Sequence, residues 1–239
     1  MTRLVGAAFI AAWWAVPGGC RSMPVYPWVD QETALGAMAD RAARLTSVEG
    51  ECRLLLTDEQ GDAIRLDGAL VARPPEHLRL RAWKLNQVAF DLLLTPDGLW
   101  LLAPDERIDV EALPAGPFVE AWLLAVTAAP GNVRVEDDGG AEFAIVGRPS
   151  RDGALTIRAV VDRATLLPRV YTLLDGGGAV VYTLQVDRYR SFDGVAWPTR
   201  LTGRAAGRTF VLEMTEPRFN DQPAPAAFEP PPGARRPSG

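Results

Sequence analysis

Few residues in this chain are equipped for chemistry. His77 is the only histidine and Cys20 and Cys52 the only cysteines in 239 residues, so no clustered His and Cys site can hold a metal. His77 follows Pro74-Pro75-Glu76 at the head of an alternating stretch, a position that suits a strand residue better than a general base. Nucleophile-elbow, phosphate-cradling and His-Glu-x-x-His sequences are all missing, and Gly176-Gly177-Gly178 reads as a hairpin turn between two strand-like segments. The acidic pairs Asp105-Glu106 and Asp137-Asp138 fall in turn-like sequence, where solvated loops are expected rather than an acid and base pair or a calcium loop. A non-enzymatic protein is therefore expected, with no catalytic residue, no metal and no cofactor.

Cys20 is the residue whose surroundings stand out. Ahead of it come Arg3, an apolar run from Leu4 to Val16, and Pro17-Gly18-Gly19, the order of a signal peptide's charged, apolar and processing regions. As a helix the apolar run reaches roughly 20 Å, against roughly 30 Å of bilayer hydrocarbon. Gly18-Gly19-Cys20 resembles a bacterial lipobox, although Pro17 stands where that pattern usually has Leu. The resemblance implies that residues 1–19 are a lipoprotein signal peptide and that Cys20 becomes a lipidated N-terminus anchored in a membrane. Acyl chains bind bilayers with about 0.8 kcal/mol per buried methylene. Arg21 follows Cys20, and the resembling export system retains lipoproteins at the inner membrane chiefly through acidic residues there. An outer-membrane lipoprotein facing the periplasm is the implied location. Loss of Arg3 with the signal peptide takes the net charge from −5 to −6, which argues against nucleic acid. Cys52 then remains the single thiol, at an alternating apolar position, and no intramolecular disulfide can form.

The elements that position these residues follow from periodicity. Residues 20–30, with Pro24 and Pro27, suit the acylated cysteine and an extended linker. From Glu32 to Leu45, Leu35, Met38, Ala42 and Leu45 recur at steps of three and four and predict a covering helix. The period then becomes two. Val48 to Leu56, Ile64 to Leu70, and Leu78 to Ala82 across the Pro74-Pro75 break predict antiparallel strands. Val88 to Thr95 and Leu99 to Leu102 flank Pro96-Asp97-Gly98 as a hairpin. A second, almost wholly apolar helix is expected from Pro117 to Thr127, with Phe118 and Trp122 four apart. Strands resume at Glu142 to Val146, Leu155 to Val161, Pro168 to Leu174, Val180 to Tyr189, Trp197 to Gly203 and Thr209 to Thr215. Two helices cannot cover so large a sheet from both sides. The expected fold class is mainly β: a strongly curved antiparallel sheet of about 11 strands, a half-open β-barrel with two or three helices plugging its concave face. This domain is assigned to residues 31–222, and a Pro-rich, irregular C-terminal tail to residues 223–239.

This organisation resembles the bacterial lipoprotein carrier and receptor family of LolA and LolB and related LolA-like lipoproteins, over residues 31–230. The matching stretches are Ser47-Val48-Glu49-Gly50 after the first helix, Arg73-Pro74-Pro75-Glu76-His77-Leu78-Arg79-Leu80, Thr95-Pro96-Asp97-Gly98-Leu99-Trp100, Asp162 to Arg169, and Phe228 to Pro232. In the receptor branch a Leu protrudes from the loop between the third and fourth strands and helps deliver acyl chains to the membrane. Leu85, in Trp83-Lys84-Leu85-Asn86-Gln87 beside the chain's only lysine, is the matching candidate for a membrane tip. The resemblance implies lipid or lipoprotein acyl chains as ligand, and a role in lipoprotein localisation. A concave face lined by Leu54, Leu66, Leu80, Phe90, Trp122 and Phe210 would accept such chains. The competing expectation is a ligand-free envelope interaction or sensor protein that binds a protein partner through the sheet edge or convex face.

Overall fold

Alternation in sequence becomes alternation in burial. In β1 (Val48–Thr57) the buried side chains are Val48, Cys52, Leu54 and Leu56, and in β2 (Ala63–Arg73) they are Leu66, Leu70 and Ala72. One face of each strand is apolar and covered while the other carries the charges, as a sheet with one wet side requires. The computed structural model describes residues 30–104, 133–147, 155–192 and 195–236. Within them, β3 (His77–Lys84), β4 (Gln87–Thr95) and β5 (Gly98–Leu102) continue the first antiparallel meander. A second meander comprises β6 (Val133–Glu136), β7 (Glu142–Gly147), β8 (Thr156–Asp162), β9 (Leu167–Leu174), β10 (Val180–Phe192), β11 (Val195–Ala205) and β12 (Arg208–Phe219).

The two meanders join back to back through β1 and β12, giving one sheet in the order β5-β4-β3-β2-β1-β12-β11-β10-β9-β8-β7-β6. All pairings between strands are antiparallel, and the curved sheet stays half open with β5 and β6 as its edges. This is the expected class, with twelve strands. The addition is β6, whose four residues alternate too briefly to stand out in sequence. Register fixes which turns share an end. The β1–β2, β3–β4, β9–β10 and β11–β12 turns lie along one rim, and the β2–β3, β4–β5 and β8–β9 turns lie along the opposite rim.

The first helix, α1 (Gln31–Ala43), lies close to the span expected for it. Asp30 caps it by accepting from the Thr33 amide at 2.9 Å, an arrangement worth about 1 kcal/mol. Its C-terminal half sits at the second rim, where Arg41 donates to the carbonyls of Leu166 and Thr165 at 3.0 and 3.2 Å. The helix expected at Pro117 to Thr127 falls outside the described residues. The proline-rich stretch after Asn220, expected to be irregular, has little regular structure in its described residues and packs back on the sheet. It forms a 3-10 turn at Pro225–Phe228, and Arg235 then exchanges backbone hydrogen bonds of 2.8 Å with Leu101 on edge strand β5.

Candidate functional site

The inner face of the sheet is apolar from edge to edge. Across eight adjacent strands the paired residues run Leu56, Phe210, Gly203, Leu184, Tyr171, Ala159, Ile145 and Val135. A second row pairs Leu66 with Leu54 and Leu54 with Leu212, and Leu212 with Leu201. Leu80 faces Leu92, and Phe90 faces Ala82 on the same side. Leu54, Leu66, Leu80, Phe90 and Phe210, proposed from sequence as lining, are therefore brought onto one face. Trp122 lies outside the described residues, as does Cys20. Gly68 is part of this surface, since a Cβ there would come within 2.7 Å of Leu54 Cδ1 and 2.9 Å of Cys52 Sγ.

Against this face α1 buries Ala34 and Met38. Between its C-terminal half and the sheet a gap of about 40 Å³ remains, lined by Met38, Arg41, Leu45, Leu166, Tyr189 and Trp197. That space holds a water or two and no acyl chain. This end of the face is a filled core.

The opposite rim differs. Leu85 and Asn86 form the two-residue β3–β4 turn, between the paired residues Lys84 and Gln87, with φ of 50° and 65°. Both residues of such a turn adopt the left-handed region, where Asn and Gly are favoured and a leucine is strained. Leu85 is nevertheless 90% exposed, the most exposed of the large apolar side chains among the described residues. Val180, 61% exposed, and Val181 follow the Asp175 to Ala179 turn on the same rim. All three exposed large apolar residues described thus sit at one end of the sheet. The sequence reading found Leu85 but missed the valines, because consecutive valines at a strand start look like ordinary strand residues.

On the outer face β4 breaks the one-wet-side pattern, because Ala89, Asp91, Leu93 and Thr95 are buried too. The C-terminal tail covers them. Asp91, 2% exposed, receives Nε and Nη2 of Arg79 at 2.9 and 2.7 Å, and Arg79 Nη1 reaches the Ala227 carbonyl at 3.1 Å. The Asp91 hydrogen bonds hold the Arg79 guanidinium pKa above its ordinary value. Phe228 is buried beside His77, with ring centroids 5.1 Å apart, and the Arg73 guanidinium lies over the Phe228 ring at 5.1 Å from its centre. His77 is thus an aromatic packing partner of the tail. The signal for this clamp was present as a lone Asp in the apolar run Ala89-Phe90-Asp91-Leu92-Leu93-Leu94, which demands a buried cation.

Among the titratable side chains of the second meander and its seam, Cys52, Tyr171, Tyr182 and Arg163 are buried and Tyr189 is half-buried. Burial pushes the Cys52 thiol up to about 12, helped by the Asp67 and Glu51 charges, so the group is inert. Burial also raises Tyr171, Tyr182 and Tyr189 above the usual phenol range. Tyr189 donates to the Pro168 carbonyl at 2.6 Å. The hydroxyls of Tyr171 and Tyr182 meet no hydrogen-bond partner among the described residues. Those residues include no group of three His, Cys, Asp or Glu side chains placed to hold a metal, and no helix long and apolar enough to cross a membrane.

Several solved structures share this arrangement. A domain from Vibrio parahaemolyticus named for outer membrane lipoprotein sorting aligns over 83% of this chain and 97% of its own, with a TM-score of 0.58 at 14% identity. A LolA superfamily protein from Nitrosomonas europaea aligns over 82% and 97%, with 0.59 at 13% identity. A DUF1329 family protein from Desulfovibrio piger aligns over 82% and 97%, with 0.54 at 14% identity. No protein-family model and no curated protein sequence matches the chain. At these identities the likeness concerns the backbone: the chain has a LolA-like fold.

Proposed function

We propose that this chain is a membrane-anchored periplasmic lipoprotein that binds lipid or lipoprotein acyl chains on the inner face of its half-open sheet. The observation that carries the reading is the unbroken apolar row from Leu56 to Val135, which covers eight strands of a sheet that never closes. A closed barrel would bury such a face against its own opposite wall, whereas here the row is buried in a sheet that stays open, so an acyl chain would take the place of an apolar neighbour already covering it. The LolA-like fold, shared with a domain named for lipoprotein sorting, supports a part in lipoprotein localisation. A lipidated Cys20 supplies the anchor, with Arg21 favouring the outer membrane. Leu85 and the two valines form the apolar rim presented to a bilayer, and binding rather than catalysis is the activity.

The test is to purify the protein from cell envelopes, identify co-extracted lipid by mass spectrometry, and measure displacement of a fluorescent apolar probe by fatty acids. Bound lipid and competitive displacement are expected. Neither appearing would overturn the proposal. The second reading, a protein-interaction role, is favoured by one observation: a groove of about 590 Å³ on the outer side of β8 to β10, edged by Arg169 with Glu142 and Asp162. Crosslinking from this groove in intact envelopes to one specific protein, with lipid binding absent, would select it.

A further inference from the structure

We propose that Tyr171 and Tyr182 are the polar end of the acyl-binding face and donate hydrogen bonds to the carbonyl oxygen of a bound acyl group; the inference rests on the acyl-binding reading above. Both side chains are 1% exposed, yet neither hydroxyl has a partner among the described residues. Other buried and half-buried polar groups of the sheet are treated differently: Asp91 accepts from Arg79, Arg163 donates to Asp137, and Tyr189 donates to the Pro168 carbonyl. Buried hydroxyls are almost always hydrogen-bonded, and where packing alone is required phenylalanine supplies the same ring without the orphaned group.

Their placement matches one ligand. Tyr171 pairs with Leu184 and Tyr182 with Leu173, so the two are diagonal neighbours on adjacent strands and share the inner face, with Cα atoms roughly 7–8 Å apart. Tyr182 lies two residues from the exposed Val180 at the apolar rim. Below the pair the face is hydrocarbon, so a chain with its carbonyl at the tyrosines extends away from the rim along Leu184, Leu201 and Leu212. Burial keeps both phenols protonated at neutral pH, and they offer donors to a group that is acceptor only, a carboxylate or an ester or amide carbonyl. Backbone accommodates the arrangement. A Cβ at Gly203, on β11, would collide with the Tyr182 hydroxyl, so glycine there gives the phenol its place.

The experiment uses the full chain with Cys20→Ser, which keeps it out of lipid. Diphenylhexatriene, a hydrocarbon without acceptor atoms, reports the apolar face, and palmitate or methyl palmitate displaces it. Tyr171→Phe, Tyr182→Phe and the double variant retain both rings. Expected is unchanged diphenylhexatriene affinity with palmitate, methyl palmitate or both weakened about tenfold in each single variant, the size of one charge-assisted or well-formed hydrogen bond. Loss confined to palmitate assigns the free carboxylate, and loss with the ester assigns an esterified chain. Equal displacement in wild type and double variant would overturn the tyrosine assignment while leaving acyl binding standing. Failure of both acyl compounds to displace the probe from the wild type would overturn acyl binding, and this inference with it.

Discussion

Replacing Leu85 by Asn separates what the residue does for the fold from what it does at a surface. At φ of 50° in a two-residue turn, leucine pays a steric cost that Asn largely avoids. With 90% of its surface exposed, Leu85 has almost no packing to lose. Leu85→Asn should therefore raise stability by about 0.5–1 kcal/mol, and for a domain of this size that is a rise in Tm of about 1–4 °C. Membrane association should move the other way. Burying a leucine side chain is worth about 1.5–3 kcal/mol, so with nine-tenths of it available the loss is about 2 kcal/mol, or about 30-fold in partition. The assay is sedimentation with phosphatidylethanolamine and phosphatidylglycerol vesicles, using the full chain with Cys20→Ser so that the proposed acylation of Cys20 cannot mask the contribution of Leu85. Unchanged partition would refute the membrane role. A fall in Tm would show that Leu85 packs against the protein after all.

Other consequences can be measured on the same material. With Cys20→Ser in place, Cys52 is the remaining thiol; pushed up to about 12 and buried, it should react with a disulfide reagent in folded protein only at the rate of unfolding, and immediate labelling would refute its burial. Asp91→Ala leaves the Arg79 guanidinium without its carboxylate and releases the tail, at an expected cost of about 3–5 kcal/mol in urea unfolding, and a change below 1 kcal/mol would remove the clamp. Tyr171, Tyr182 and Tyr189 hold their protons more tightly folded than unfolded. Their contribution is complete below the ordinary phenol value near 10 and is lost as pH rises beyond it, at about 1.4 kcal/mol per unit for each group. Stability should fall steeply above about pH 10, with phenolate absorbance appearing together with unfolding rather than before it. Phenolate appearing in folded protein near its ordinary pKa would contradict the burial of these side chains.

The inner face was legible because it rests on period two. Leu54, Leu66, Leu80, Phe90 and Phe210 each belong to an alternating run, and a single register error would have turned every one of them outward. The β3–β4 tip was legible for the same reason, since Leu85 breaks a clean alternation between two patterned strands. What local pattern does not carry is the pairing of distant segments. The β1–β12 seam joins residues more than 150 positions apart, and the tail's return to Leu101 and Arg79 has no periodicity at all. Prolines in that tail suggested irregular chain, and the extended backbone they favour is what lets Arg235 pair with an edge strand. The unpartnered phenols were invisible, because sequence gives a tyrosine's side of the strand and never its acceptor.

These placements bear on how an open sheet would keep its shape if one face bound a ligand. A sheet normally gains its stability from the apolar face it covers, so a face reserved for lipid is a liability. Here two parts of the sheet, one at the β5 edge and one in its interior, have support from outside that face or from its far rim. Strands β3 to β5 are braced from outside by Phe228, by the Asp91 and Arg79 pair and by Arg235 along the β5 edge. Strands β9 to β11 are braced at the second rim by α1, with Arg41 on the Thr165 and Leu166 carbonyls and Met38 in the core. Between the two braces lie β2 and the β1–β12 seam, while the Leu184 and Tyr171 row crosses β10 and β9 toward the rim opposite α1, and an acyl chain would occupy this stretch. Bracing from elsewhere would let that stretch exchange one apolar neighbour for another without loss of register, and the proposed carbonyl position falls toward the rim that carries Leu85 and Val180.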